Sequence, residues 1–200
     1  MAISPTKICN YALVILGEKR IAALTQDSET ARTCNEIYEQ IRDEVLADGP
    51  EKGWKFARAR KTVSVSSDTP EFEFAYQFAV PSDPPCLQIV SVQVDGTELT
   101  DWQKEGDYIL TNEEDTSVDV IYIKQVTDEA KFPPHFVKYF AATLAVELSY
   151  KITQNSAMGE RLLTRLERAI RPRAIAKDAK ESYVEEENDD WIAVGHTRDK

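Results

Sequence analysis

Apolar residues return every three or four positions towards both ends of the chain and every second position in its middle. That change of period predicts helices, then strands, then helices again. Ile8, Tyr11, Ala12, Ile15 and Leu16 form the first helical stripe. Ser4 is placed to cap this helix, with Pro5 at its first position, where a missing N–H costs nothing. Gly17 can end it in a left-handed turn. Asp27 or Ser28 opens a second helix, whose buried stripe is Cys34, Ile37, Tyr38, Ile41, Val45 and Leu46. Glu36, Glu39, Gln40 and Arg42 fall on its wet side. Asp48-Gly49-Pro50 breaks it.

Thr62 to Ser66 then alternates around Val63 and Val65. Phe72, Phe74, Tyr76 and Phe78 alternate with Glu71, Glu73, Ala75 and Gln77, which predicts four aromatics on one sheet face. Pro81 to Pro85 interrupts this run. Leu87 to Val94 is β-rich, and Asp95-Gly96 is a hairpin signal. Tyr108 to Leu110 and Val118 to Ile123 bring the expected total to about five or six strands.

Helical spacing resumes after Pro133-Pro134, with Phe136, Tyr139, Phe140, Leu144, Leu148 and Ile152 as one stripe. Ser156 is the expected cap of a last helix carrying Leu162, Leu163, Leu166 and Ile170. Pro172 should kink or end it, because its ring collides with the carbonyl of Arg168. The order helix, helix, sheet, helix, helix predicts an α+β protein. The two helical pairs are expected to form one four-helix bundle, with a small antiparallel β subdomain inserted between them. The expected divisions are 1–60 for the first helical hairpin, 61–131 for the β subdomain, 132–180 for the last helices, and 181–200 for an acidic extended arm.

Charge sharpens this picture at the C-terminal end. The whole chain has 35 acidic and 24 basic residues, a net charge of −11. A chain this acidic repels phosphate unless its cations are gathered in one place. Tight nucleic-acid binding is therefore not expected, while passing contact with DNA in a channel is compatible with repulsion. Lys and Arg outnumber acids between 151 and 180, whereas 181–190 carries Glu181, Glu185, Glu186, Glu187, Asp189 and Asp190 with no base. Trp191, Ile192 and Val194 follow as a short apolar anchor, which reads either as a frayed end or as an arm that docks in a partner's pocket. Ordering such an arm costs entropy, so its strength would come from repetition around an assembly.

Candidate chemistry is sparse. His135 and His196 are the two histidines, and neither stands in a nucleophile motif. His135 reads as a surface residue at a helix start. The seven glycines assemble no phosphate-binding loop, and neither HExxH nor an EF-hand pattern occurs. Asp178, Glu181 and Glu185 share helical spacing, which reads as solvated charge. Cys9, Cys34 and Cys86 are far apart and form no CxxC pair, so buried inert thiols are expected and neither a metal nor a cofactor is. No apolar run is long enough to span a membrane, and the opening Met1 to Lys7 lacks the build of a signal peptide. A cytosolic site of synthesis follows as an expectation.

Several stretches together resemble a known family. Asn10 to Glu18 (NYALVILGE), Ile21 to Leu24, Ala31, Cys34, Tyr38 and Arg42-Asp43 lead to Trp54-Lys-Phe-Ala57 and Arg60. Tyr76 to Asp83, Cys86-Leu87, Val126 to Asp128, Phe132 to Pro134 and Leu144 to Leu148 follow in order. This series, over about residues 5 to 194, resembles tail tubular protein A, the head-to-tail adaptor or gatekeeper family of tailed bacteriophages. Gly49 to Gly53, Pro84-Pro85 and Pro172 depart from the family pattern.

The resemblance implies a non-enzymatic virion protein of the tail or neck, made in the host cytoplasm. About twelve copies would close into a connector ring under the portal protein, each touching its neighbours through two different faces. The ring would meet the downstream tail nozzle protein, and its lumen would carry DNA during ejection. Trp191, Ile192 and Val194 would then grip the portal or a neighbour. Arg165, Arg168 and Arg171 against Glu185, Glu186 and Glu187 are the expected inter-subunit charge contacts. The other readings are a muramidase-like peptidoglycan hydrolase and a generic protein-binding module of the same fold.

Overall fold

The computed structural model describes residues 3–181. Helix α1 spans Pro5–Leu16, with the Ser4 side chain accepting from the Lys7 N–H. Gly17 closes it at φ 79°, a left-handed conformation that a side chain would strain. Helix α2 spans Glu29–Ala47 and is capped by Ser28, whose Oγ accepts from the Ala31 N–H at 3.2 Å. Between them the chain is pinned by Asn10. Its Nδ2 donates to the Ile21 carbonyl at 2.9 Å, and its Oδ1 accepts from the Ile21 N–H at 2.8 Å. The buried face of α1 is Ile8, Cys9, Ala12, Leu13 and Leu16. Tyr11, expected inside, is exposed instead. Arg42, expected on the wet side of α2, is only 5% exposed. Its guanidinium donates to Asp43, whose other oxygen accepts from Gln125, so a three-residue polar chain meets the sheet there.

Seven strands follow among the described residues. They are β1 (Arg58–Ser64), β2 (Tyr76–Ala79), β3 (Cys86–Val94), β4 (Thr97–Glu98), β5 (Trp102–Glu105), β6 (Tyr108–Thr111) and β7 (Ser117–Lys124). They form two small antiparallel sheets, ordered β1-β7-β3-β4 and β2-β6-β5. Val65 pairs with Phe78 and ties one sheet to the other. Phe78, Val92, Ile109, Val118, Val120 and Tyr122 make the core they share. Asp95 and Gly96 both take positive φ in the β3–β4 hairpin, as that dipeptide favours.

The expected aromatic face over 72–78 does not form. Only Tyr76 and Phe78 lie in a strand; Glu73 turns left-handed at φ 72°, and Phe72 is left 80% exposed. A left-handed residue interrupts the two-residue alternation that an extended strand requires.

Helix α3 (Pro134–Thr153) runs through the centre of the helical part. It packs against α1, α2 and the last helical run. Because neighbours surround it, it is buried on most sides, from Phe136 and Phe140 to Leu144, Ala145 and Leu148. The last run comprises α4 (Ser156–Arg165), a π-helical turn (Leu166–Ile170) and α5 (Arg171–Ala179). Asn155, not Ser156, caps α4 by accepting from the Met158 N–H. Leu163, expected in its apolar stripe, is exposed. Pro172 does not end the helix. The wide turn just before it, where the Arg171 N–H reaches the Leu166 carbonyl, gives the proline ring the room that a regular turn lacks. Leu162, Leu166, Ile170, Ala174 and Asp178, every fourth residue, form the inward seam of this run.

Trp54 joins the helical core to the strands. It is fully buried, its indole N–H donates to the Val45 carbonyl at 2.9 Å, and its ring meets Phe136 edge-on and Tyr139 at a tilt. Truncating a buried aromatic of this kind costs about 3–5 kcal/mol. Gly53, at φ 70°, brings the chain against β7 so closely that a Cβ would lie 1.8 Å from Ile123 Cδ1.

Candidate functional site

The residue after Trp54 begins a clamp on the end of the last helix. Lys55 Nζ donates to the carbonyls of Asp178 and Ala179, each at 2.7 Å. A cation at a helix C-terminus satisfies carbonyls that have no partner within the helix and complements its dipole. In return, the Lys55 N–H donates to Asp178 Oδ1 at 3.1 Å. Asp178 is 2% exposed. His135, at the start of α3, stands between this carboxylate and the next acid along. Its Nε2 is 3.8 Å from Asp178 Oδ1, and its Nδ1 is 3.9 Å from Glu181 Oε1. The imidazole leans on Trp54 with ring centroids 6.1 Å apart. His135 is therefore buried, contrary to the expected surface position, because two elements distant in sequence close over it. Asp178 is likewise no solvated charge, while Glu181 remains exposed at the rim.

Beside the clamp opens a groove of about 460 Å³ between α1, α3 and the last helical run. Tyr11, Pro134 and Ile170 line it together with Lys138, Arg165, Arg173 and Lys177. A smaller recess of about 140 Å³ shares Tyr11, Lys138, Arg165 and Ile170, and adds Ile15, Ala142 and Leu162. Among the described residues, no carboxylate lines either one. Lys138, Arg165, Arg173 and Lys177 form no ion pair among the described residues. Four cations with no ion pair among the described residues, at one apolar-floored groove, are a local reversal in a chain of net charge −11. Such a place attracts an anionic, partly apolar ligand.

The expected charge contacts divide. Arg165 lines the groove. Arg168 does not. Arg171 is already engaged, donating to Asp48 at 2.7 Å and reaching Glu167 at 3.5 Å, so it is not free for a neighbour. Glu185, Glu186, Glu187, Trp191, Ile192, Val194 and His196 lie outside the described residues. Sequence reading missed Lys138, Arg173 and Lys177, although Arg173 and Lys177 are four apart on one helix. It also took Tyr11 for core.

Cys9 and Cys34 face each other in the helical core. The hydrogen bond between them and burial hold the Cys9 thiol well above the ordinary thiol range, as an inert buried thiol requires. Cys86 is half-buried, and burial raises its thiol too. No group of three or more His, Cys, Asp or Glu suited to a metal occurs among the described residues.

Fold and groove thus define an α+β chain with a basic interhelical groove. No model of a known protein family matches it, and no curated protein does.

Proposed function

We propose that this chain is a head-to-tail adaptor of a tailed bacteriophage, one subunit of a ring that docks under the portal and forms part of the DNA exit channel. In this reading the helices form the bundle that builds the ring, and the acidic segment with Trp191, Ile192 and Val194 is its arm.

The observation that carries the reading is where the family-like residues fall. Asn10 of NYALVILGE holds Ile21 of the next stretch through both backbone groups. Gly17 of the same motif is the left-handed cap. The Trp-Lys-Phe-Ala element supplies the indole of the central core and the clamp on α5. Residues that carry the resemblance are thus also joints of the fold. The groove adds a surface suited to an acidic partner segment.

The test is a measurement of mass in solution, for the protein alone and with portal rings. The adaptor reading expects joint particles in which many copies decorate one portal, and a Trp191→Ala variant that binds about 10-fold or more weakly. A protein that ignores portal rings at every concentration overturns it.

A further inference from the structure

We propose that the basic groove is the seat of the chain's own acidic segment, Glu185 to Ile192, which latches there in the free protein. The inference goes beyond the adaptor reading and stands whether or not that reading holds.

Three observations converge. The first is charge. Lys138, Arg165, Arg173 and Lys177 line the groove with no carboxylate partner among the described residues. Glu185, Glu186, Glu187, Asp189 and Asp190 follow within a few residues of the last described position. These acids are the densest run of negative charge in the chain. The second is shape. The adjoining recess has an apolar lining from Ile15, Ala142 and Leu162, and Trp191-Ile192 comes directly after the acids. A charged stretch over the cations and an indole in the recess would use both halves of the site in sequence order. The third is reach. The clamp by Lys55 fixes the end of α5, and Glu181 Oε1 lies 3.9 Å from His135, itself a groove residue. From there, four residues of extended chain cover about 13 Å. A segment tethered this close has an effective concentration on the order of millimolar, enough to fill a weak site without any second molecule. A partner that takes the segment must first displace it from the groove.

Zero-length carbodiimide coupling of the full chain, mapped by mass spectrometry at low micromolar concentration, tests this. The expected result is coupling of Lys138 and Lys177 to acids within 185–190, several-fold above exposed lysines such as Lys19 and Lys104. The coupling should stay within one copy when isotope-labelled and unlabelled chains are mixed. It should fall several-fold in 1 M salt, and likewise in an Arg165→Glu, Arg173→Glu variant. Both arginines are exposed, and an unchanged melting temperature verifies that this variant folds. Coupling between copies overturns the latch in favour of exchange between neighbours. Coupling no greater than at other lysines overturns occupancy altogether. Loss of coupling on adding a short DNA duplex at micromolar concentration assigns the groove to phosphate instead.

Discussion

Tyr38 and Tyr139 show how position alone changes a side chain's chemistry. Burial first, and Glu129 beside it second, push the Tyr38 phenol up; burial and then Asp48 do the same for Tyr139. Each hydroxyl donates to its carboxylate at 3.2 Å. Above about pH 10, where an unfolded tyrosine ionises, the folded chain keeps protons that the unfolded chain has lost. Both residues therefore contribute stability that is fully present below that pH and is lost as pH rises. Each can contribute a slope of up to about 1.4 kcal/mol per pH unit. Replacing both with Phe should flatten the alkaline fall in urea-measured stability; an unchanged slope would locate its source elsewhere. Which residues are buried was only partly legible at this scale. Cys34, Ile41, Phe136 and Leu144 follow from periodicity and are buried. Tyr11, Arg42, His135 and Asp178 do not, because a stripe read at 3.6 residues fixes a helix face only to within a neighbour or so.

At the scale of elements, strong local signals were read well and weak ones were not. Helices α1, α2 and α3, with Ser4, Ser28 and Gly17 at their ends, follow from capping and period. The Asp95-Gly96 hairpin does too. Strand β5, Trp-Gln-Lys-Glu, carries a single apolar residue and gave no pattern to read. The aromatic run over 72–78 gave a pattern that Glu73 overrides. What joins α1 to the following turn is the two-way bond of Asn10 with Ile21. Asn10→Ala removes both bonds and should cost about 1–3 kcal/mol in chemical denaturation. Asn10→Asp keeps the acceptor but sets a carboxylate oxygen against the Ile21 carbonyl, so it too should destabilise. Equal stability of the two variants and the parent would show that the turn holds itself.

At the scale of the whole molecule, contacts between residues far apart in sequence close the helical part. The clamp joins residues 55 and 178, and Arg171 reaches back to Asp48. No pattern within a window could reveal either. The groove was hidden for the same reason, since α1, α3 and the last run each bring only part of it. Asp178→Ala leaves the Lys55 N–H without its buried acceptor and should destabilise by about 1–3 kcal/mol; urea midpoints equal to the parent's would show that the clamp contributes nothing to folding. The π-helical turn over Leu166–Ile170 has its own consequence for this face. Arg165 and Arg173 are eight positions apart, which on a regular helix would set them about 80° around the axis from each other. A wide turn that absorbs one extra residue brings them back to within about 20°. Deleting a single residue there would restore an ordinary helix and leave the two arginines seven positions apart, again within about 20° of each other. The wide turn thus takes up one extra residue without disturbing the cationic row, so the row survives the gain or the loss of that one codon.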